Sequence, residues 1–225
     1  MSTAPQPVAG RSEALSLFSD RVVFWLAKHW LALANLFWGL YVGLSFLAPL
    51  LMNAGLTMPA KVLYFAYRPL CHQLPERSYF LGGPQYVYSA QELAAAGVRV
   101  GPPSRDIGNE AVGWKVGFCQ RDVALYGSLF LAGLVYGLVR PRWKGWKMPV
   151  RYYLLFLVPI GVDGFLQLFG VHESNWVLRT VTGAILGVGS VLFAYPYLEE
   201  GMAEVRDSIN RRRQGAVPTD SSILS

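Results

Sequence analysis

Four stretches of this chain, at about 30–51, 118–139, 152–170 and 176–195, are apolar almost without interruption. A helix of roughly 20 apolar residues crosses the ~30 Å of hydrocarbon in a bilayer. No water is available there to satisfy backbone N–H and C=O groups, so segments of this kind fold as helices. A soluble domain carries charge at about a quarter of its positions. Here only 15% of 225 residues are charged, and the mean hydropathy is +0.31. The expected fold class is all-α: a polytopic membrane helix bundle with four spans. Seven tryptophans and twelve tyrosines suit the two interfacial belts of such a protein.

The segments between the spans add detail. Thr57-Met58-Pro59 has the composition of a helix start, and the apolar run 62–67 that follows is limited by Pro69. It is too short to cross, so an interfacial or re-entrant helix is expected here. Residues 82–117 read as an outer loop punctuated by Gly82-Gly83-Pro84 and Gly101-Pro102-Pro103. Within it, Ser89 and Glu92 form a capping-box pattern for a short helix that ends near Gly97, and the loop is read as a small lid. Residues 1–20 are polar and contain Pro and Ser, which suggests a disordered tail. Residues 21–198 form the membrane domain, and 199–225 a basic tail. No signal peptide is evident, because the first apolar run starts late, carries Lys28 and His29 and is too long for an h-region.

Charge sets an orientation. Arg140, Arg142, Lys144, Lys147 and Arg151 crowd one short connection with no acidic residue, a cytoplasmic signature. Arg206 and Arg211-Arg212-Arg213 make the C-terminal tail basic too, and the triple arginine suits anionic lipid. Both termini are therefore expected in the cytoplasm of a multi-pass cell-membrane protein, with residues 52–117 and the turn around His172 outside. The net charge of +6 sits beside the spans, not along a polar face with stacking aromatics, which argues against nucleic acid. The expected partners are the lipid bilayer and other membrane proteins, docked on the GxxxG pairs Gly39/Gly43, Gly133/Gly137 and Gly183/Gly187.

Two polar stretches carry the chemistry. One is Cys71-His72-Gln73-Leu74-Pro75-Glu76-Arg77-Ser78-Tyr79; the other, Cys119-Gln120-Arg121-Asp122, holds the second and last cysteine. At 1.5 Å per residue, Asp163 lies roughly 10 Å below the outer end of the third span, with Gln167 one turn above it. Arg179 and Thr182 share a face of the fourth span, and Asp122 and Tyr126 a face of the second. An unpaired charge at mid-bilayer costs at least about 2.5–3.5 kcal/mol, so Asp163 and Arg179 are expected to face inward and pair. With Cys71, His72, Arg77, Asp122 and Gln167 they would wall a polar pocket open to the outside, beside Cys119 and Arg121.

The thiols leave three readings open. They could form an extracytoplasmic disulfide. They could join a zinc or copper site of Cys71, His72 and Cys119, with His172 as a fourth candidate, although adjacent Cys and His side chains do not readily chelate one ion. They could also serve as a redox pair for a quinone or small substrate, without any CxxC motif.

Four motifs occur in order: Cys71-His72-Gln73 with Pro75, Arg77 and Ser78; Cys119, Arg121, Asp122 and Tyr126, with Gly127 directly after; Pro159, Asp163-Gly164 and Gln167; and Ser174-Asn175, Arg179 and Thr182-Gly183. Together they resemble the DUF2085 family of prokaryotic integral membrane proteins, from about residue 55 to 195. The resemblance implies a membrane fold and adds Asn175 to the candidates. The family has no assigned activity, so it implies no reaction, cofactor or substrate. The function expected from the residues is an outward-facing site for a small polar or redox ligand. The alternatives are a transporter or channel component, weakened by inner half-spans nearly free of ionisable groups, and an accessory subunit of a larger membrane complex.

Overall fold

A computed structural model of the chain describes residues 9–102, 104–142, 145–170 and 173–215. Among these residues are the helices α1 (Ala9–Asn53), α2 (Thr57–Tyr67), α3 (Ala90–Ala95), α4 (Gln120–Val139), α5 (Val150–Leu168) and α6 (Trp176–Gly215). Three helices are long and apolar enough to cross a membrane: α1 over Ala14–Asn53, α4 over Gln120–Val139 and α6 over Trp176–Gln214. The expected count of four spans is not confirmed. Helix α5 has 19 residues, but Arg151, Asp163 and Gln167 dilute its apolar character.

At the termini the described helices reach into both tails. Helix α1 starts at Ala9, well inside the segment read as disordered. The prolines behind that reading, Pro5 and Pro7, precede the helix and lie outside the described residues. Helix α6 likewise runs through 199–215 of the expected basic tail. The described residues fall into two compact units, 9–33 with 196–215, and 34–195. In the first, the two helical segments are tied by polar contacts. Trp30 Nε1 donates to Glu199 at 2.9 Å, Arg206 donates to the Ala27 carbonyl at 2.8 Å, and Asp20 faces Arg212 at 3.5 Å.

The second unit is a helix bundle with a small sheet, so the all-α expectation needs correction. Strands β1 (Ser78–Leu81), β2 (Gly108–Asn109) and β3 (Gly113–Cys119) lie in the order β1-β3-β2. Both pairings are antiparallel; Ser78 stands opposite Cys119 and Phe80 opposite Lys115. The segment read as a loop thus folds around its own core of Phe80, Tyr88, Leu93, Val98 and Val112. Its expected capping box is present: Ser89 N donates to the Glu92 carboxylate at 2.7 Å, and Glu92 N to Ser89 Oγ at 3.2 Å. Helix α2, with 11 residues, is too short to cross. It buries Ala60, Tyr64 and Tyr67 and exposes Met58, Val62 and Phe65.

The bundle is closed by small residues and aromatic pairs. The Trp38 and Tyr126 rings stack at 5.6 Å between α1 and α4, and Tyr153 stacks on Phe193 at 4.7 Å between α5 and α6. The glycine pairs read as docking faces work mainly within the chain. Gly183 and Gly187 of α6 lie where an added Cβ would stand 2.5 Å from the Arg121 and Leu125 carbonyl oxygens of α4. Gly133 is covered by Asn35 and Tyr195, and Gly39 by Phe130, whereas Gly43 faces open space. Outward, these helices present Leu36, Leu40, Leu131, Leu138, Leu155 and Val181. That exposure is costly in water and natural against lipid.

These contacts predict the effect of adding one methyl group. Gly187→Ala should lower thermal stability in detergent by about 1–3 kcal/mol through overpacking. Gly43→Ala should leave stability within about 1 kcal/mol of the parent or raise it, since alanine is the better helix former. Equal melting temperatures for the two variants would contradict the α4–α6 packing.

Candidate functional site

The β1–β3 pairing brings the two polar stretches together. Cys119 ends β3, and the chain turns directly into α4, whose first turn carries Gln120, Arg121 and Asp122. Opposite Cys119, Ser78 closes the loop that begins at Cys71. The C-terminal end of α5 and the N-terminal end of α6 approach the same corner. Between these elements lies a cavity of about 460 Å³ lined by Cys71, His72, Arg77, Cys119, Arg121, Asp122, Gln167 and Arg179, with Leu70, Gln73, Leu74 and Pro102 completing its wall.

The expected Asp163–Arg179 pair is not formed. Asp163, just behind the cavity wall, receives hydrogen bonds from Arg121 and from Ser174 Oγ, the latter at 3.0 Å. Arg121 reaches it because the first turn of α4 faces the last turns of α5. Arg179 turns instead to Gln120, donating from Nη1 to Oε1 at 3.3 Å, and Gln120 Nε2 donates in turn to the Ser78 carbonyl at 3.1 Å. Asp163 Oδ1, Arg121 Nε and Arg179 Nε are buried without a hydrogen-bond partner. Arg77 reaches Gln167: with the amide turned so that its oxygen faces the guanidinium, the two contacts are 3.0 and 3.2 Å.

The loop itself is held from below. Lys115, fully buried on β3, donates from Nζ to the Gln73 carbonyl. Burial pulls its pKa down to about 8. Gln73 is a non-glycine residue in the left-handed region, at φ +54°. Its side-chain amide donates to the Tyr64 carbonyl at 3.0 Å, and the Tyr64 hydroxyl donates to the Lys115 carbonyl at 2.5 Å.

Both thiols are free, so the disulfide reading is not realised in this structure. Cys71 Sγ, Cys119 Sγ and an Asp122 carboxylate oxygen lie within 4.8 Å of one another. A hydrogen bond from the Cys119 thiol pulls the Cys71 pKa down against the opposing effect of burial. His72 is exposed on the cavity rim and is not part of this trio, whereas His172 lies outside the described residues.

Three sequence candidates stand apart from the cavity. Tyr126 belongs to an aromatic cluster with Trp38, Tyr41 and Phe118. Asn175 caps α6, its Oδ1 accepting from Leu178 N at 2.8 Å. Thr182 bonds back to the Leu178 carbonyl of its own helix at 2.8 Å. Conversely, Gln73, Lys115, Gln120 and Ser174 shape the site without having been singled out. Gln73, Gln120 and Ser174 stand inside the recognised motifs. For Lys115 the available signal was its place between Trp114 and Val116 in a β-like alternation.

Long apolar helices with exposed leucine-rich flanks, and a polar cluster gathered at one end of the bundle, define an integral membrane protein of the helical class. Residues 110–193 match the family described as "Predicted membrane protein (DUF2085)". The resemblance read from the motifs is thus borne out over that region, which includes Cys119, Arg121, Asp122, Asp163, Gln167 and Arg179. Two uncharacterized archaeal proteins are similar. One, from Methanocaldococcus jannaschii, is 28% identical over 139 residues, covering 61% of this chain and 69% of the relative. The other, from Methanothermobacter thermautotrophicus, is 27% identical over 123 residues, covering 55% and 82%. No solved structure matches.

The revised pairing has a direct test. Asp163 is almost wholly buried and Arg121 mostly so, and removing one partner of such a pair typically costs about 3–5 kcal/mol. A double-mutant cycle of Asp163→Asn with Arg121→Gln should give a coupling of about 0.5–3 kcal/mol in detergent melts. The cycle with Arg179→Gln should be close to additive. A larger coupling with Arg179 would restore the pairing inferred from helix depth.

Proposed function

We propose that this membrane protein binds a small anionic ligand in the cavity at 71–77, 119–122, 167 and 179. The observation that carries the reading is the convergence of Arg77, Arg121 and Arg179 on one cavity, with His72 at its rim. Against them stand one lining carboxylate, Asp122, and the buried Asp163, which is engaged by Arg121. Arg179 is 91% buried and keeps an unpartnered Nε. Guanidinium groups bind carboxylate and phosphate oxygens through paired N–H donors, and they do so most strongly where water is excluded. A volume of about 460 Å³ lies in the range of small-molecule pockets, roughly 300–1,000 Å³.

Purified protein in detergent should melt at higher temperature as phosphate, sulfate or succinate is added at constant ionic strength. A ligand at a hundred times its Kd stabilises by about 2.7 kcal/mol. Arg77→Gln and Arg179→Gln should blunt this shift. If chloride raises the melting temperature as much as the oxyanions do, or if both variants respond like the parent, the anion reading fails.

The cavity is further read as facing outward, with both termini in the cytoplasm. The support is the uniformly basic 140–151 connection and the position of the cavity at the opposite ends of α4 and α5. In a cysteine-free background, Ser104→Cys should react with an impermeant maleimide in intact cells, and Gly145→Cys only after lysis. The reverse pattern would place the cavity on the cytoplasmic side.

A further inference from the structure

We propose that Cys71 Sγ, Cys119 Sγ and the Asp122 carboxylate form a three-ligand site for a borderline-soft divalent cation, zinc foremost, with the fourth position turned to the cavity. Three elements bring these groups together. Cys119 closes β3 and its neighbour Ser78 anchors the Cys71 loop, while Asp122 follows Cys119 by three residues and so lies on the same side of the first turn of α4. The result is two sulfurs and a carboxylate oxygen within 4.8 Å of one another.

The geometry fits a tetrahedral ion. Zinc binds thiolate at about 2.3 Å and carboxylate oxygen at about 2.0–2.2 Å, which sets the donor atoms roughly 3.5–3.8 Å apart. The observed separation exceeds that spacing by about 1 Å at most. The donor set is selective too. Magnesium and calcium take all-oxygen shells, and two sulfurs exclude them. A mixed sulfur and oxygen set suits zinc. The charges are also compatible. Three anionic donors leave a zinc site one negative charge in excess, beside Arg77, Arg121 and Arg179 on the same cavity wall and buried Lys115 beneath the Cys71 loop.

All three donors line the cavity, so a bound ion would keep its open position towards whatever occupies it. Three protein ligands plus an exchangeable water is the arrangement of catalytic, not structural, zinc sites. The ligand set differs from the Cys71–His72–Cys119 grouping that the sequence suggests: His72, next in the chain to Cys71, points to the rim, and Asp122 takes its place. The inference does not depend on anion binding, since the arginines act without the ion.

Full-length protein, purified in detergent with a non-thiol reductant, is incubated with zinc sulfate, desalted and analysed for metal. One zinc per chain is expected, and cobalt(II) added to the metal-free protein should give thiolate-to-cobalt absorption in the near ultraviolet and tetrahedral visible bands that added zinc abolishes. Cys71→Ser, Cys119→Ser and Asp122→Asn should each weaken zinc binding about tenfold or more, the scale on which even indirect contacts to a metal matter. His72→Ala should retain it. The cobalt spectrum of the parent protein carries the test on its own if a cysteine variant fails to fold. No retained zinc, a cobalt spectrum without sulfur bands, or zinc affinity in Cys71→Ser and Cys119→Ser equal to that of the parent would each overturn the proposal. So would a Cys71–Cys119 disulfide in protein isolated without reductant and resistant to it. The oxyanion melts of the arginine variants are read on zinc-free protein, so either proposal can fail without the other.

Discussion

The antiparallel pairing of β1 with β3 is the constraint on which the polar end of this protein depends. It couples residue 78 to residue 119 and thereby sets two distant stretches of chain side by side. A slip of one residue would turn every side chain of β3 to the other face. Lys115 would then leave its buried place beneath Gln73, and Cys119 would no longer meet Cys71. Two hydrogen bonds fix the register from outside the sheet: Lys115 Nζ to the Gln73 carbonyl, and Gln120 Nε2 to the Ser78 carbonyl at 3.1 Å. Each is made by a fully buried side chain, where an unmade bond costs about 1–3 kcal/mol.

From that sheet the polar contacts extend into the helices. Ser78 leads through Gln120 to Arg179 on α6; Arg121 leads through Asp163 to Ser174 and the α5–α6 turn. Such networks are worth most where the dielectric is low, and they are costly where a member lacks a partner. Several members here keep one buried atom unsatisfied, on Arg121, Asp163 and Arg179. Arg121 and Arg179 line the cavity, and Asp163 lies just behind its wall.

Hydrophobic length made the membrane class legible in the sequence, because no soluble fold tolerates runs like those of α1, α4 and α6. The fourth span is not confirmed at α5, where Arg151, Asp163 and Gln167 lower the helix's apolar content. The sheet was not legible. Strand pairing is non-local, and the Gly-Gly-Pro and Gly-Pro-Pro punctuation around it reads as loop. The depth argument placed Asp163 and Arg179 near one level, with Arg121 beside the same pocket, and depth alone does not say which arginine faces the carboxylate. The answer lies in the rotation of α4 against α5. The same limit explains Tyr126 and Thr182, whose side chains serve packing and the helix backbone, while Asn175, added by the resemblance, caps α6. Lys115 was hidden for another reason, since a charged residue among glycines reads as solvent-exposed unless its strand is known.

Gln73 carries a consequence of its own. A side chain at φ +54° holds its backbone in a conformation that costs about 1–2 kcal/mol relative to the right-handed alternative. The cost is met by contacts on both sides of the residue, to Tyr64 and to Lys115. The corner bearing Cys71 and His72 is therefore cocked rather than relaxed. Strain of this kind lowers the work of local opening, so this corner would breathe before the sheet or the helices beneath it loosen.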